Sequence, residues 1–249
     1  MSTIDILGLD KTFSTQPPVV ALKGVDLRVR SGEFVALLGP SGCGKSTLLN
    51  MIAGFEQPTQ GELLVNGQPV RQPGPERGVV FQEAALFPWL SVWDNVVFGP
   101  KVQGVAKSVY EPRAKEMLSI MGLSAFEKTL PVQLSGGMRQ RVGIARVLTM
   151  GSQILLMDEP FGALDAQTRL SMQELLLTVW QQLKPTVVFV THDIDEALFL
   201  ADTVYVMSSR PGRIQARLEV AFERPRNLEL TTSAGFNQMK LEVLKQMRH

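Results

Sequence analysis

Three groups of residues have types and spacings that can do chemistry. The first is Gly39-Pro40-Ser41-Gly42-Cys43-Gly44-Lys45-Ser46, followed by Thr47. Its glycines let the backbone wrap close to phosphate oxygens, with N–H groups turned inward. Lys45 can reach the β- and γ-phosphates of a nucleotide, and the Ser46 hydroxyl can hold Mg²⁺. The second group is Asp158-Glu159, two carboxylates directly after the apolar run Ile154-Leu155-Leu156-Met157. Adjacent residues on an extended strand face opposite ways, so the pair is assigned two jobs. Asp158 is given to the Mg²⁺ hydration shell and Glu159 to the attacking water. The third is Ser135-Gly136-Gly137, a hydroxyl and two glycines that open a helix and present free N–H groups to an anion. That makes two phosphate-binding ends where one nucleotide needs one.

These groups need elements to position them. Phe34–Leu38 is an apolar run of strand length, and Thr47–Ala53 reads as a helix, so the glycine-rich stretch is a strand-to-helix turn. Ile4–Leu9 and Val20–Val29 alternate as strands with one buried face, the latter through Leu22, Val25, Leu27 and Val29. Gly61–Val70 alternates too, with Asn66-Gly67 as a hairpin turn. Gly78–Phe81 reads as a short buried strand ended by Gln82. From Glu83 to about Met150 the pattern turns helical, with Ala114, Met117, Leu118 and Met121 on one face and Gly122 as a stop. Strand character returns at Ile154–Asp158, Val187–Thr191 and Thr203–Met207. Between them lie a helix over Gln167–Leu183, with Met172, Leu175, Leu176, Val179 and Leu183 on one face, and a helix from Asp193 to Ala201. Phe236–Met247 is expected to be a docked helix carrying Phe236, Met239, Val243, Leu244 and Met247 on one side.

Alternating strands and helices predict an α/β fold with a parallel sheet. The expected architecture is a P-loop NTPase core over 1–82 and 151–249, fed by N-terminal antiparallel strands. An inserted α-helical subdomain covers 83–150, and a tail follows about residue 210. Twenty-five Lys and Arg against 24 Asp and Glu leave a net charge of +1, so no broad field favours nucleic acid. No run approaches 18 apolar residues, and no secretory signal is expected. A single cysteine rules out an intramolecular disulfide framework.

Taken in order, Gly39–Ser46, Gln82, Leu134-Ser135-Gly136-Gly137-Met138, Leu155–Glu159, Gly162-Ala163-Leu164-Asp165 and His192 resemble the motifs of ABC transporter ATP-binding subunits. The resemblance covers nearly the whole chain and implies a RecA-like core that binds ATP and Mg²⁺. It implies a head-to-tail dimer in which the P-loop of one copy and the Ser135-Gly136-Gly137 helix end of the other sandwich each ATP. Gln82 is then the residue that touches Mg²⁺ and senses the membrane partner. His192 contacts the γ-phosphate, and Asp165 links the two sites. Without those motifs His192 would read as a strand-end histidine with a structural hydrogen bond. Phe13 stands about where the family stacks an aromatic ring on adenine, and a buried core Phe is the other reading.

Two departures stand out. Met138 replaces the more familiar Gln, and Cys43 lies inside the P-loop, where a thiol near a helix start is expected to be alkylated with loss of ATP binding. Ala84–Leu90 with Trp93 suits a groove that grips a membrane partner and also suits the subdomain's own core. Residues 74–82, Phe87-Pro88-Trp89, 160–165 and 209–214 resemble the importer subgroup for taurine, alkanesulfonates and nitrate. That implies separate permease subunits, a periplasmic or surface binding protein, and a place at the cytoplasmic face of the plasma membrane. The alternatives are an importer for another small substrate and a non-transport ABC ATPase.

Overall fold

A computed structural model describes residues 2–247. The chain runs β1 (Ile4–Phe13), β2 (Val19–Val29), β3 (Phe34–Leu38), α1 (Lys45–Ala53), β4 (Gln60–Val65), β5 (Gln68–Pro69) and β6 (Arg77–Val80). It continues through α2 (Val92–Val102), α3 (Lys107–Ile120), α4 (Gly136–Met150), β7 (Ile154–Asp158), α5 (Ala166–Leu183) and β8 (Thr186–Thr191). It closes with α6 (Ile194–Leu200), β9 (Thr203–Met207), β10 (Ile214–Glu219) and α7 (Ala234–Gln246). Two compact units result, Met1–Gly74 with Lys184–His249, and Pro75–Leu183.

In the first unit β2-β1-β4-β5 form an antiparallel sheet, with Ile4 paired to Val29 on one side and Val65 on the other. The alternation buries Ile4, Ile6, Leu22, Val25, Leu27 and Val29 on one face. The β4–β5 hairpin turns on Asn66-Gly67, whose φ angles of 54° and 72° suit the favoured two-residue hairpin turn. A second set of strands runs β10-β9-β3-β8. β3 is parallel to both neighbours, with Leu38 opposite Thr191 and Val206. All five residues of β3 and all six of β8 are buried, as a parallel strand covered on both faces requires. The equal register brings the C-terminal ends of β3 and β8 level, so the P-loop and His192 leave the sheet from the same edge.

In the second unit β6 and β7 pair in parallel, with Val80 opposite Met157. Helix α4 packs against α2, α3, α5 and β6. Ser135 starts it by accepting the Met138 N–H at 3.2 Å, and Gly151 ends it in the left-handed conformation. The α3 face is as expected, with Ala114, Met117, Leu118 and Met121 buried.

Several expectations need correcting. Helix α1 begins at Lys45, two residues early, because Gly44 at φ 99° makes the turn itself. Phe81 is 39% exposed, and Val80 is the buried residue of that strand. The α5 face is rotated: Leu183 is exposed, while Gln173, Leu177 and Trp180 are buried beside Met172, Leu176 and Val179. The tail holds a strand, β10, antiparallel to β9. Helix α7 is docked as expected, with Phe236 and Val243 buried.

Candidate functional site

In the first unit the P-loop is fixed from all sides. Lys45 is 4% exposed, and its Nζ donates to Gly39 O at 2.8 Å and Pro40 O at 3.0 Å. The ammonium is thus held over the loop's own carbonyls at the start of α1. A Cβ on Gly44 would lie 2.6 Å from Leu22 Cδ2, and its positive φ already favours glycine. Cys43 is buried at 1% exposure, with Sγ 3.9 Å from Lys45 Nζ. This burial suits a thiol chosen for packing, so alkylation calls for the loop to open first. Ser41, Gly42 and Ser46 stay exposed.

Phe13 ends β1 and is half-buried, with Lys11 Nζ 4.9 Å from its ring centroid. Lys11 is itself held by Glu56 and by Gln57 O, each at 2.8 Å. His192 follows β8 directly, and Asp193 after it caps α6 by accepting the N–H groups of Asp195 and Glu196.

In the second unit Asp158 is the last residue of β7. Glu159 adopts φ 44°, a left-handed conformation unusual for a residue with a side chain. The two carboxylates are therefore separated by a turn, and not by the alternation of an extended strand as the sequence suggested. Strain of this kind gathers at functional sites. The turn closes with Gly162 N–H donating to Glu159 O at 3.1 Å. Gln82 lies over this turn, its Nε2 3.3 Å from where a Gly162 Cβ would stand. Asp165 accepts the Thr168 N–H at 3.0 Å, and the Thr168 hydrogen bonds hold its carboxyl below the usual carboxylate range.

Ser135 and Gly136 are exposed, whereas Gly137 is buried. A Cβ on Gly137 would meet Thr168 Cγ2 at 2.6 Å, so a side chain there would force Thr168 or the helix start to shift. Among the described residues no group of three or more His, Cys, Asp or Glu could hold a metal ion. The first unit offers the Ser46 hydroxyl, and the second, taken by itself, the Asp158 carboxylate and the Gln82 amide. Each offers a hard oxygen of the kind Mg²⁺ takes.

Beyond Gln82, the chain to Leu90 is held by polar residues that sequence reasoning did not single out. Asn95 is fully buried, accepts the Phe87 N–H at 2.9 Å and donates to Phe87 O, Leu90 O and Ser91 O. Gln140, 3% exposed, donates to Phe81 O at 3.0 Å. Arg146 donates to Ala84 O and Ala85 O and lies 5.7 Å from the Phe87 ring, with burial lowering its pKa. Neighbouring these is an apolar cavity of about 360 Å³ lined by Phe81, Ala85, Phe87, Phe98, Arg146 and Met150. Trp89 is 73% exposed and stands 5.8 Å from Phe87. The stretch is therefore an ordered surface, with only part of it serving as core.

The comparisons with known proteins agree with this geometry. Residues 22–162 match the family model described as ABC transporter. The nitrate import ATP-binding protein NrtD of Synechococcus elongatus is 47% identical over 239 residues, 94% of this chain and 87% of that protein. The aliphatic sulfonates import ATP-binding protein SsuB of Bacillus thuringiensis subsp. konkukian is 43% identical over 248 residues, 99% and 96% of the two chains. A dimeric, post-hydrolysis structure of the ATP-binding cassette MJ0796 with ADP and Pi superposes with a TM-score of 0.74 at 30% identity, covering 88% of this chain and 100% of that one. The fold is that of the P-loop ATPase cassettes, and the chain belongs to the ABC transporter family.

Proposed function

We propose that the chain is the ATP-hydrolysing subunit of an importer for nitrate or for alkanesulfonates such as taurine. The observation that carries the ATPase reading is the buried Lys45 held at the edge of β3 within an over-determined P-loop. Support for import comes from near full-length identity to subunits named for nitrate and sulfonate import.

In this reading the P-loop N–H groups and Lys45 bind the phosphates, and Phe13 stacks on adenine with the Lys11 cation against its ring. Ser46, Gln82 and Asp158 would hold Mg²⁺, which when bound would neutralise phosphate charge. Glu159 orients and deprotonates the attacking water, and His192 contacts the γ-phosphate. Ser135, Gly136 and Gly137 bind the γ-phosphate held by a second copy, and Asp165 contacts that copy. Two such copies close head to tail on two ATP and open after hydrolysis.

The cavity beside Phe81, Phe87 and Phe98 takes an apolar helix of a permease subunit, with Trp89 gripping its edge. Among the described residues no helix is long and apolar enough to cross a membrane, so the transmembrane path falls to that permease. The subunit then works from the cytoplasmic face, with a separate binding protein delivering substrate outside.

The test is growth of a strain lacking the gene, on taurine or an alkanesulfonate as sole sulfur source and on nitrate as sole nitrogen source. Complementation by the wild type but not by Glu159→Gln is expected on one of these. Equal complementation by both would refute hydrolysis-driven import.

A further inference from the structure

Helix α6 starts two residues after His192 and spans seven residues, Ile194–Leu200. So short a helix has little stability of its own, and its seat depends on what grips it. At its start the grip is local. The buried Thr191 hydroxyl donates to Glu196 Oε2 at 2.7 Å and accepts the Asp193 N–H at 3.0 Å. Asp193 accepts the N–H groups of Asp195 and Glu196 at 2.8 and 3.2 Å. His192 thus lies between two residues, Thr191 and Asp193, that are both tied to the first turn of α6, which couples its backbone to the start of the helix.

Ala197, Leu198, Phe199 and Leu200 are buried and seat the helix against β3 and β8, and the polar grip on it comes from the C-terminal segment. Lys240 of α7 places Nζ 2.7 Å from both carboxylate oxygens of Asp195, in the first turn of α6. At the other end Arg226, 7% exposed, donates to Leu198 O, Phe199 O and Ala201 O at 3.1, 3.1 and 2.7 Å. It also reaches Val220 O at 3.2 Å and Phe222 O at 3.2 and 3.3 Å. Arg224 donates to Leu200 O at 2.6 Å and doubly to Asp202 Oδ1 at 2.9 and 2.7 Å. Asp202 in turn accepts the Phe34 N–H at 2.9 Å, at the first residue of the strand that feeds the P-loop.

Burying a guanidinium is costly, and its pKa is pulled down to about 10 by that burial and by the Arg224 charge. Docking α7 does not call for such a group, because Phe236 stacks on Phe222 at 5.8 Å and Val243 is fully buried. The arginines sit where a helix C-terminus gathers negative charge and unpaired carbonyls.

We infer that the C-terminal segment is a positioning element for the reaction: Arg224, Arg226 and Lys240 clamp α6 at both ends and so set the place of His192 relative to the P-loop strand. The inference rests on the reading of His192 as the γ-phosphate contact. Its signature is a loss in turnover without a loss in nucleotide affinity.

The test is steady-state ATPase of the full chain. Lys240→Ala, a partly exposed change, is expected to lower kcat about three- to fivefold, as loss of a surface ion pair allows, with KM for ATP within about twofold and an unchanged Tm. Arg226→Lys keeps the charge but loses the fan of donors, and is expected to lower kcat about tenfold. The swap Asp195→Lys with Lys240→Asp is expected to restore kcat. In a His192→Ala background Lys240→Ala is expected to add nothing, because both act through one group. A wild-type kcat in Lys240→Ala and in Arg226→Lys, with His192→Ala impaired, would overturn the clamp alone. So would multiplying effects in the His192→Ala background. Wild-type turnover in His192→Ala itself would overturn both the clamp and the γ-phosphate reading.

Discussion

The P-loop and the Ser135-Gly136-Gly137 helix start are both backbone anion sites, yet they are built differently. At the P-loop the chain closes on itself. Lys45 is buried over the carbonyls of Gly39 and Pro40, and Leu22 leaves no room for a side chain at Gly44. At the helix start Ser135 and Gly136 face outward, anchored by the Ser135 cap on the Met138 N–H and by Arg139, which donates to Leu134 O. The first is pre-organised to bind a phosphate alone. The second is an exposed helix start whose nearest cation, Arg139, is already engaged by Leu134 O, and among the described residues no loop wraps around it as one does at the P-loop. In the proposed dimer the contrast is that between a complete site and half of a shared one.

The sharpest way to break the comparison is to disable each half and read binding and turnover separately. Lys45→Ala is expected to abolish both nucleotide binding by the monomer and ATPase, at least about 10²–10³-fold in kcat, measured by fluorescent-ATP titration and phosphate release. Glu159→Gln is expected to lower turnover about 10²–10⁴-fold, the usual range for loss of a catalytic base, while ATP binding persists and an ATP-bound dimer accumulates on gel filtration. Turnover at the wild-type rate would remove Glu159 from the role of base.

Gly137→Ala should separate the halves most clearly. The added methyl meets Thr168, at a cost of about 1–3 kcal/mol for overpacking. Monomer ATP affinity is expected to hold while dimer formation and turnover fall at least about tenfold. Equal loss of monomer binding would show that the helix start is not a separate half-site. Smaller still is Met138→Gln, expected to change ATPase by less than about tenfold, because the backbone donors at this position are unaltered. The smallest effect is expected for alkylation. With Cys43 buried, N-ethylmaleimide should leave ATPase of the folded chain near its starting value, and should modify the thiol only after denaturation.

What could be read from sequence was local. The P-loop, the Asp158-Glu159 pair and the Ser135 helix start each lie within a few adjacent residues, so strand, turn and cap rules reach them. What escaped has partners far along the chain. Arg226 meets carbonyls 25 to 28 residues away, and Gln140 meets Phe81 O across 59. A lone polar residue in sequence carries no sign that it will be buried. Two further misses have other causes. Pro160 and Gly162 announce a turn after Glu159, but they do not say that Glu159 itself takes the positive φ. Strand β10 was legible: Ile214-Gln215-Ala216-Arg217-Leu218-Glu219 alternates with period two, and its burial alternates likewise. It was overlooked because the stretch past Arg210 was grouped as a tail.

That strand has a consequence for the solubility of the chain. β9 pairs with β3 on one side and with β10 on the other. Without β10 it would present a bare row of N–H and C=O groups along an apolar strand, a template for another chain's strand. The alternating β10, with Arg217 and Glu219 on its exposed side, covers this apolar strand and takes the edge position in its place. A cassette cut back to its nucleotide motifs would keep every residue that touches ATP and would tend to add to its own kind edge to edge.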